Sequence, residues 1–165
     1  MSRAAAEGKE QMLYASGPAS FLHEKADDAV KNLVGAVTAD DYDGLVLEIS
    51  AMTEKYQEQL SAFVKNLGNA LGQNKLVLVL PAPGKREGGT SNQGNGYDYA
   101  ALNEAVDQMI LRVEQPPELV DKFPVAPLEP LESVYRGISH LRSAGVMPDK
   151  VSVMLTAEGV HFSGK

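Results

Sequence analysis

The stretch Lys75-Leu76-Val77-Leu78-Val79-Leu80 decides the fold, because it is apolar on both faces of a strand and is closed by Pro81-Ala82-Pro83-Gly84. A strand that lacks a polar face is typical of a parallel sheet that is covered on both sides. Successive parallel strands need a long crossover connection, which is usually a helix. This stretch therefore predicts that helices and further strands alternate on either side of it.

Four further strands are predicted from short apolar or alternating runs that end in turn residues, at 12–17, 45–50, 109–113 and 150–155. Apolar residues recur at helical spacing between these strands. The predicted helices cover 20–37 with Ser20 as N-cap, 52–72, 97–106, and 131–141 with Gly145 just beyond its end. Residues 85–96 are predicted to be a loop, and 115–130, with five prolines, an extended segment.

Strands that alternate with helices predict an α/β fold with right-handed βαβ units and five parallel strands. The chain has 165 residues, the size of one ordinary domain. A closed eight-stranded (β/α) barrel typically needs ~250 residues. We assign residues 1–10 to an N-terminal tail and 11–165 to a single α/β domain.

The composition excludes several classes of protein. Asp and Glu outnumber Lys and Arg by 22 to 15, a net charge of −7, whereas nucleic-acid binding needs a basic face. The chain has no cysteine, which excludes disulfides, zinc–thiolate sites and thiol nucleophiles. No apolar run approaches the ~18 residues of a membrane span. We also expect no secretory signal in this chain, although it can be an excerpt of a longer secreted protein.

No cofactor or metal site is predicted. The glycine-rich stretch 88–96 lacks the residue order of a phosphate-binding loop, and a loop that borders the mouth of the sheet is the favoured interpretation. His23, His140 and His161 are far apart in the sequence, and no carboxylate stands at metal-ligand spacing from them.

Polar side chains fall on one face of three strands near their carboxyl ends, where parallel α/β folds bind ligands. The alternation of strand faces places them opposite the apolar residues that pack on helices. The candidates are Glu48, Ser50, Arg112, Glu114, Thr156 and Glu158. A sheet covered on both faces would not bury such charges unpaired, whereas the mouth of a barrel can hold them.

The ordered motifs resemble those of the family-18 glycoside hydrolases, the chitinase-like group. Tyr42-Asp43-Gly44-Leu45-Val46-Leu47-Glu48-Ile49-Ser50 is similar to their fourth barrel strand, whose signature carries acidic residues at three alternate positions. Residues 11–17, 75–83, 97–107 and 125–151 resemble the segments around the third, fifth, sixth and seventh barrel strands. The resemblance spans roughly 11–162 and implies a partial (β/α) barrel, closest to the bacterial spore and cell-wall branch.

The same resemblance implies that the active site is degenerate. In the family, the last acidic residue of the signature is the general acid, and the one two positions earlier orients the acetamido group of the substrate. Ser50 stands at the acid position and Glu48 at the orienting position. A serine hydroxyl cannot replace a carboxylic acid as proton donor near pH 7. The ends of the sixth strand, at Arg112 and Glu114, and of the seventh, at Thr156 and Glu158, also depart from the family pattern.

Three interpretations of this polar group stay open. Glu48, Glu114 and Glu158 form a salt-bridged plug with Arg112, or they line a polar binding cleft, or Glu48 and Glu114 act as a relocated acid/base pair. The plug is favoured, because Arg112 would keep the acids ionised rather than ready to donate a proton. The chain also has no tryptophan on which a sugar ring could stack.

We therefore predict a catalytically degenerate glycoside-hydrolase-like module that binds an N-acetylglucosamine-containing glycan or serves as a scaffold. The alternatives are an active glycosidase with a relocated acid and a purely structural assembly domain. The resemblance implies a place at the cell wall or envelope. No cofactor is expected, and the acidic charge and the lack of a long apolar run argue against nucleic-acid binding and a membrane span. The missing strands belong to a longer chain or are replaced by self-association, since an exposed sheet edge invites strand pairing.

Overall fold

The computed structural model describes residues 9–81, 84–85, 92–93, 96–113 and 131–155. Within these ranges the strands are β1 (Met12–Pro18), β2 (Gly44–Ser50), β3 (Lys75–Pro81), β4 (Gly84–Lys85), β5 (Asn92–Gln93), β6 (Gln108–Arg112) and β7 (Val151–Met154). The α-helices are α1 (Ala26–Ala39), α2 (Gln57–Leu71), α3 (Tyr99–Ala105) and α4 (Leu131–Ser143). Short 3-10 turns cover Ala19–His23, Glu54–Tyr56 and Pro148–Lys150.

Five of the strands form one parallel sheet in the spatial order β1-β2-β3-β6-β7. Each strand lies beside the sheet strand that precedes it in sequence, and the order never reverses. Right-handed crossovers that all step in one direction place their helices on one face of the sheet. The order is that of an incomplete (β/α) barrel, since a doubly wound sheet reverses its direction. The predicted fold of five parallel strands alternating with helices is confirmed.

The helix-covered face of the sheet holds the core. Its alternate residues are buried on the three central strands: Leu45, Leu47 and Ile49 on β2, Leu76, Leu78 and Leu80 on β3, and Met109 and Leu111 on β6. Helix α2 packs here through Leu60, Phe63, Val64, Leu67 and Leu71, all of them buried. Burying one such side chain contributes roughly 1.5–3 kcal/mol, so this face makes a large favourable contribution to the free energy of folding.

The opposite face of the sheet carries no helix among the described residues, and we call it the open face. The strand register assigns to it Tyr14 and Ser16 of β1, Val46, Glu48 and Ser50 of β2, Val77 and Val79 of β3, Ile110 and Arg112 of β6, and Ser152 and Met154 of β7. Val77 and Val79 are buried, so β3 is apolar and covered on both faces, as its sequence predicts.

The start of the first helix differs from its prediction. Ser20 lies inside a 3-10 turn and is not an N-cap; α1 begins at Ala26 and takes Lys25 as its N-cap, without a side-chain hydrogen bond. Asp27 and Asp28 lie in the first turn, where negative side chains interact favourably with the helix dipole. The apolar spacing predicted the helix correctly, but the nearest serine was the wrong boundary signal.

The segment predicted as a loop at 85–96 also contains regular structure. β4 pairs with β5 in antiparallel fashion, with Gly84 opposite Gln93 and Lys85 opposite Asn92. The glycine-rich residues 88–91 and 94–95 lie outside the described residues, as does the proline-rich segment 115–130. These two-residue strands were not predicted, because a glycine-rich composition favours a loop and gives no signal of such a short pairing.

Two glycines end helices as predicted. Gly72 follows α2 with φ 65°, and Gly145 lies two residues past α4 with φ 84°. Glycine adopts this left-handed conformation without the steric cost that a Cβ atom brings. Both helices therefore stop where the sequence places them.

The N-terminal side of the described chain contacts the sheet. Glu10 forms an ion pair with Lys75 at the start of β3, and the amide of Gln11 donates a 2.6 Å hydrogen bond to Asp43 Oδ2. Residues 1–8 lie outside the described part, and the tail assigned to 1–10 stays a prediction. None of the described helices combines the length and apolar character that crossing a membrane requires.

We expect Gly44→Ala to destabilise the protein by about 1–3 kcal/mol, the usual effect of an overpacked core position. A Cβ atom on Gly44 would meet the Lys75 carbonyl oxygen, with the Lys75 amide nitrogen at 2.8 Å and Met12 Cε at 2.7 Å. Neighbouring strand backbones cannot move apart without breaking the ladder. Urea denaturation followed by circular dichroism measures the change.

Gly35→Ala is the matched control for that substitution. Gly35 lies in α1, and a Cβ atom there would meet nothing within 4 Å. The same change should raise the free energy of unfolding, by up to about 1 kcal/mol, because alanine favours a helix interior. Equal effects of the two substitutions would contradict the close packing assigned to Gly44.

Candidate functional site

The open face brings together a carboxylate, a guanidinium and a phenol. Glu48 Oε1 forms an ion pair with Arg112 Nη1. The Tyr14 hydroxyl donates a 2.5 Å hydrogen bond to Glu48 Oε2. Both oxygens of Glu48 therefore accept hydrogen bonds, and we call the three residues the Glu48 cluster.

Strand register explains why these residues meet. Glu48 lies opposite Val79 on β3, and Arg112 lies opposite Pro81 on the other side of the same strand. All face the same side, because successive residues of a strand alternate between faces. The ion pair thus crosses β3 and covers the buried Val79.

The members of the Glu48 cluster differ in their exposure to solvent. The Glu48 side chain is 14% exposed and the Arg112 side chain 38%, whereas Tyr14 is 56% exposed. A carboxylate with so little contact with water needs a cation or hydrogen-bond donors, since an unpaired buried charge is costly. Arg112 and Tyr14 meet that need.

The charge of Glu48 also affects Tyr14. The hydrogen bond to Glu48 raises the pKa of Tyr14 above its usual value of 10.0, and removal from water adds to the shift. The negative charge of Glu48 acts in the same direction, because it opposes formation of a phenolate. Tyr14 therefore stays a neutral hydrogen-bond donor to Glu48.

Ser50 lies at the carboxyl end of β2 and is exposed. Its hydroxyl donates a 3.4 Å hydrogen bond to the Gly17 carbonyl oxygen on β1. It shares the open face with Glu48, two residues earlier on the same strand. Ser50 thus lies on the same face as the cluster, at the carboxyl end of β2.

Tyr97, which lies just before α3, contacts the end of β2. Its hydroxyl donates a 3.1 Å hydrogen bond to the Ile49 carbonyl oxygen, and its ring stacks on Tyr99 with centroids 6.0 Å apart. Burial raises the pKa of Tyr97 to about 12, with a smaller opposing effect from Arg112. Burial also raises the pKa of Tyr99. Both phenols are neutral at physiological pH.

Three predicted site residues, Glu114, Thr156 and Glu158, lie outside the described residues. Of the six candidates, Glu48, Ser50 and Arg112 are described, and the structure brings them to one face. Their role in binding stays a prediction. β7 ends at Met154, which lies opposite Arg112. The predicted polar face can be traced along β7 only to this residue, because the residues after 155 lie outside the described ranges.

Sequence reasoning did not find Tyr14. The signal was available, because Tyr14 and Ser16 alternate with Leu13, Ala15 and Gly17 along β1. Because most of that strand is apolar, its two faces were not distinguished in the sequence prediction. Tyr97 was likewise assigned to a helix, whereas α3 begins at Tyr99 and Asp98 caps it by accepting from the Ala101 amide at 3.0 Å.

A second polar region lies at the opposite end of the sheet, in a groove of about 570 Å³ between α2 and α3. Two of its charged residues, Lys150 and Asp107, form hydrogen bonds with backbone groups. Lys150 Nζ donates to the carbonyl oxygens of Asn103 and Val106 at 2.8 and 2.9 Å, and Asp107 Oδ2 accepts from the Leu76 amide at 2.8 Å. These contacts stabilise the fold, and ligand sites of parallel α/β folds lie at the other end.

Within the described ranges, no group of three or more histidine, aspartate or glutamate side chains is placed to hold a metal ion. In the Glu48 cluster, Arg112 is a charged hydrogen-bond donor, and Tyr14 supplies a neutral donor and an aromatic ring. Both oxygens of Glu48 already accept hydrogen bonds. Hydrogen-bond donors beside an aromatic ring are the kind of groups that orient polar ligands in protein sites.

Solved structures of known proteins share this fold. A class V chitinase from Pseudomonas fluorescens superposes with a TM-score of 0.66 at 25% identity, over 80% of this chain and 42% of that chain. The spore cortex-lytic enzyme SleL of Bacillus megaterium gives a TM-score of 0.67 at 14% identity, over 86% of this chain and 35% of that one. The chain has the fold of the chitinase-like glycoside hydrolases.

A third similar structure is YKL-39 solved in the presence of chitooligosaccharides, with a TM-score of 0.61 and 14% identity over 86% of this chain and 46% of that chain. This chain spans about two-fifths of the length of the chitinase-like chains that it matches. The resemblance predicted from the sequence motifs is confirmed at the level of the fold. No family model matches the sequence, and no curated protein matches it either.

We expect the stability of the protein to fall as the pH rises above 10. The pKa of Tyr97 is 10.0 when unfolded and about 12 when folded, so its contribution is present below pH 10 and lost as the pH rises through 12. Tyr97→Phe should flatten this decline. Urea denaturation at several pH values measures it, and Tyr135→Phe, an exposed tyrosine on α4, should leave the decline unchanged.

We expect Glu48 and Arg112 to be energetically coupled by about 1 kcal/mol, because the pair is partly shielded from water. The measurement is a double-mutant cycle of Glu48→Gln and Arg112→Met in urea denaturation. The control is the exposed Glu132–Arg136 pair of α4, four residues apart, for which about 0.3–0.5 kcal/mol is expected. A Glu48–Arg112 coupling no larger than that of the control pair would refute the stabilising role of the cluster.

Proposed function

We propose that this chain is a catalytically silent module with a chitinase-like fold, which binds an N-acetylglucosamine-containing glycan at its open face. One observation carries the proposal: both carboxylate oxygens of Glu48 accept hydrogen bonds, one from Arg112 and one from Tyr14. A general acid must present a proton to the glycosidic oxygen. In this arrangement both Glu48 oxygens are engaged by donors of the chain itself.

The position of Ser50 supports the same conclusion. By the family resemblance, Ser50 occupies the place of the general acid, and its hydroxyl donates to the Gly17 carbonyl oxygen. A serine hydroxyl is far too weak an acid for protonation of a leaving group near neutral pH. Loss of the acid and engagement of the neighbouring carboxylate together support a silent site.

Features of the open face support binding. Tyr14 exposes more than half of its surface, and Arg112 more than a third of its side chain. Sugars bind to fixed hydrogen-bond donors beside an aromatic face, and the contact with Glu48 fixes both groups. YKL-39, which shares the fold, was solved in the presence of chitooligosaccharides, so this ligand class is the first to test.

The module is proposed to act at the cell wall or envelope. Support comes from the spore cortex-lytic enzyme SleL, whose structure this chain resembles over 86% of its length. Glu114, Thr156 and Glu158 are proposed to extend the binding face beyond the Glu48 cluster. A relocated acid/base pair of Glu48 and Glu114 is the enzymatic alternative, and the same experiment tests it.

The test is a titration of the protein with chitotetraose and with peptidoglycan oligosaccharides, followed by NMR. We expect saturable chemical-shift changes at Tyr14, Glu48 and Arg112 and no new reducing ends after overnight incubation. Cleavage that disappears in Glu48→Gln would refute the silent site and support the glycosidase. Absence of both binding and cleavage would refute the proposal and leave a structural role.

Arg112→Ala should weaken glycan binding by about tenfold or more, because a charged hydrogen-bond donor is removed from the site. Arg142→Ala is the matched control, since Arg142 lies in the last turn of α4 on the helix-covered side. Circular dichroism verifies that both variants are folded. Equal affinity of the two variants would contradict the placement of the site on the open face.

A further inference from the structure

The chain leaves β2 through a residue in a strained conformation, immediately after Ser50. Within the described ranges, two residues other than glycine have a left-handed backbone, Asp41 with φ 53° and Ala51 with φ 54°. Asp41 precedes β2 and Ala51 follows it. The conformation is costly for both, because the Cβ atom approaches the following carbonyl oxygen. Each of the two residues therefore needs a physical reason for it.

The end of helix α1 explains Asp41. The Asp41 amide donates a 3.3 Å hydrogen bond to the Thr38 carbonyl oxygen. The next amide, that of Tyr42, donates a 3.0 Å hydrogen bond to the Val37 carbonyl oxygen. This pair of bonds is the Schellman motif, in which the residue after the helix cap is left-handed. Aspartate also tolerates the conformation better than most residues do.

No helix ends at Ala51, which follows a strand and has no side-chain group that could form a hydrogen bond. Strained backbone persists only where the surrounding structure holds it, and it is concentrated at functional sites. Ala51 lies at the carboxyl end of β2, next to Ser50, which shares the open face with Glu48. The unexplained strain is therefore at the end of the strand where the ligand is proposed to bind.

Two contacts from the segment before α3 hold this turn. Gly96 packs so closely on it that a Cβ atom on Gly96 would lie 2.9 Å from both the amide nitrogen and the carbonyl oxygen of Thr53. The Tyr97 hydroxyl donates its hydrogen bond to the carbonyl oxygen of Ile49, two residues before Ala51. The backbone is thus held on both sides of Ala51.

The segment that holds the turn also adjoins the Glu48 cluster. Tyr97 is buried, and the charge of Arg112 lowers its pKa while that of Glu48 raises it. Both charges therefore lie within electrostatic range of the Tyr97 phenol. The turn, its supporting segment and the Glu48 cluster are neighbours at the carboxyl end of the sheet.

We infer that the left-handed turn at Ala51 positions Ser50 and the end of β2 for the proposed glycan, and that Gly96 and Tyr97 are positioning residues that maintain this turn. A left-handed residue changes the direction of the chain within one residue, so Ser50 ends the strand. An extended residue at position 51 would displace Ser50 and carry the chain past the end of the sheet. The inference rests on the proposed function and adds residues that act through Ser50.

The test compares the affinity for chitotetraose of matched variants at the two ends of β2. Ala51→Val and Asp41→Val each require a left-handed conformation of a β-branched residue, which resists it. Both positions are exposed, so a larger side chain has room. Both variants should unfold at a lower urea concentration than the wild type does. Only Ala51→Val should weaken binding, by about fivefold or more, because only that end of the strand supports the site.

Two further variants separate the backbone conformation from the identity of the side chain. Ala51→Gly permits the left-handed backbone without strain and should bind within about twofold of the wild type. Tyr97→Phe removes the hydrogen bond to Ile49 but keeps the ring, and it should also weaken binding. It tests the inference even where Ala51→Val does not fold. Tyr135→Phe, at an exposed position of α4, is its control and should bind as the wild type does.

Affinities are measured by NMR titration, and circular dichroism verifies that each variant is folded. A folded Ala51→Val that binds as tightly as the wild type overturns the inference, as does an equal loss of affinity in Asp41→Val. Where Ala51→Val does not fold, unchanged binding by Tyr97→Phe overturns it. In these cases the wild-type chain still binds glycan, so the proposed function stands. A wild-type chain that binds no glycan refutes the proposed function and this inference with it.

Discussion

The central strand β3 is the constraint on which the rest of the structure depends. It is buried on both faces and hydrogen-bonds to β2 on one side and β6 on the other. The strands are added in one direction from β1 to β7, so the right-handed connections keep the helices on a single face. The other face carries the polar side chains of these strands alongside Val77 and Val79. Every candidate site residue that the structure describes lies on that face.

The Glu48 cluster shows how a face without helices accommodates charge. Glu48 and Arg112 are on strands that do not touch one another, and their side chains meet above β3. Tyr14 donates to the other carboxylate oxygen, so both oxygens of Glu48 accept hydrogen bonds without a ligand. These contacts hold the three side chains in place, which supports the proposed binding role, whereas catalysis by proton transfer needs an acid directed at its substrate. The hydrogen bonds of Glu48 and the serine at position 50 both support the proposal that this face binds a ligand without catalysis.

Much of this arrangement could be predicted from the sequence. Alternation along β2 and β6 placed Glu48, Ser50 and Arg112 on one face, because the period of a strand is fixed by its backbone. Tyr14 was not predicted because β1 resembles a plain apolar run unless the alternation of Tyr14 and Ser16 with Leu13, Ala15 and Gly17 is followed. The start of α1 at Ala26 depends on a 3-10 turn that precedes it, and a serine cap signal does not reveal such a turn. The meeting of two non-adjacent strands above a third depends on side-chain length and twist, which no local pattern encodes.

The spatial order of the sheet also has a consequence for how the chain acquires its structure. Every strand pairs with the sheet strand that came before it in sequence, so each new strand–helix unit can dock as soon as it has been synthesised. Pairing of this kind closes shorter loops than pairing between strands that are far apart in the sequence would. The two terminal strands, held from one side only among the described residues, are then the parts expected to open first. Amide hydrogens should exchange most slowly in β3 and progressively faster toward β1 and β7.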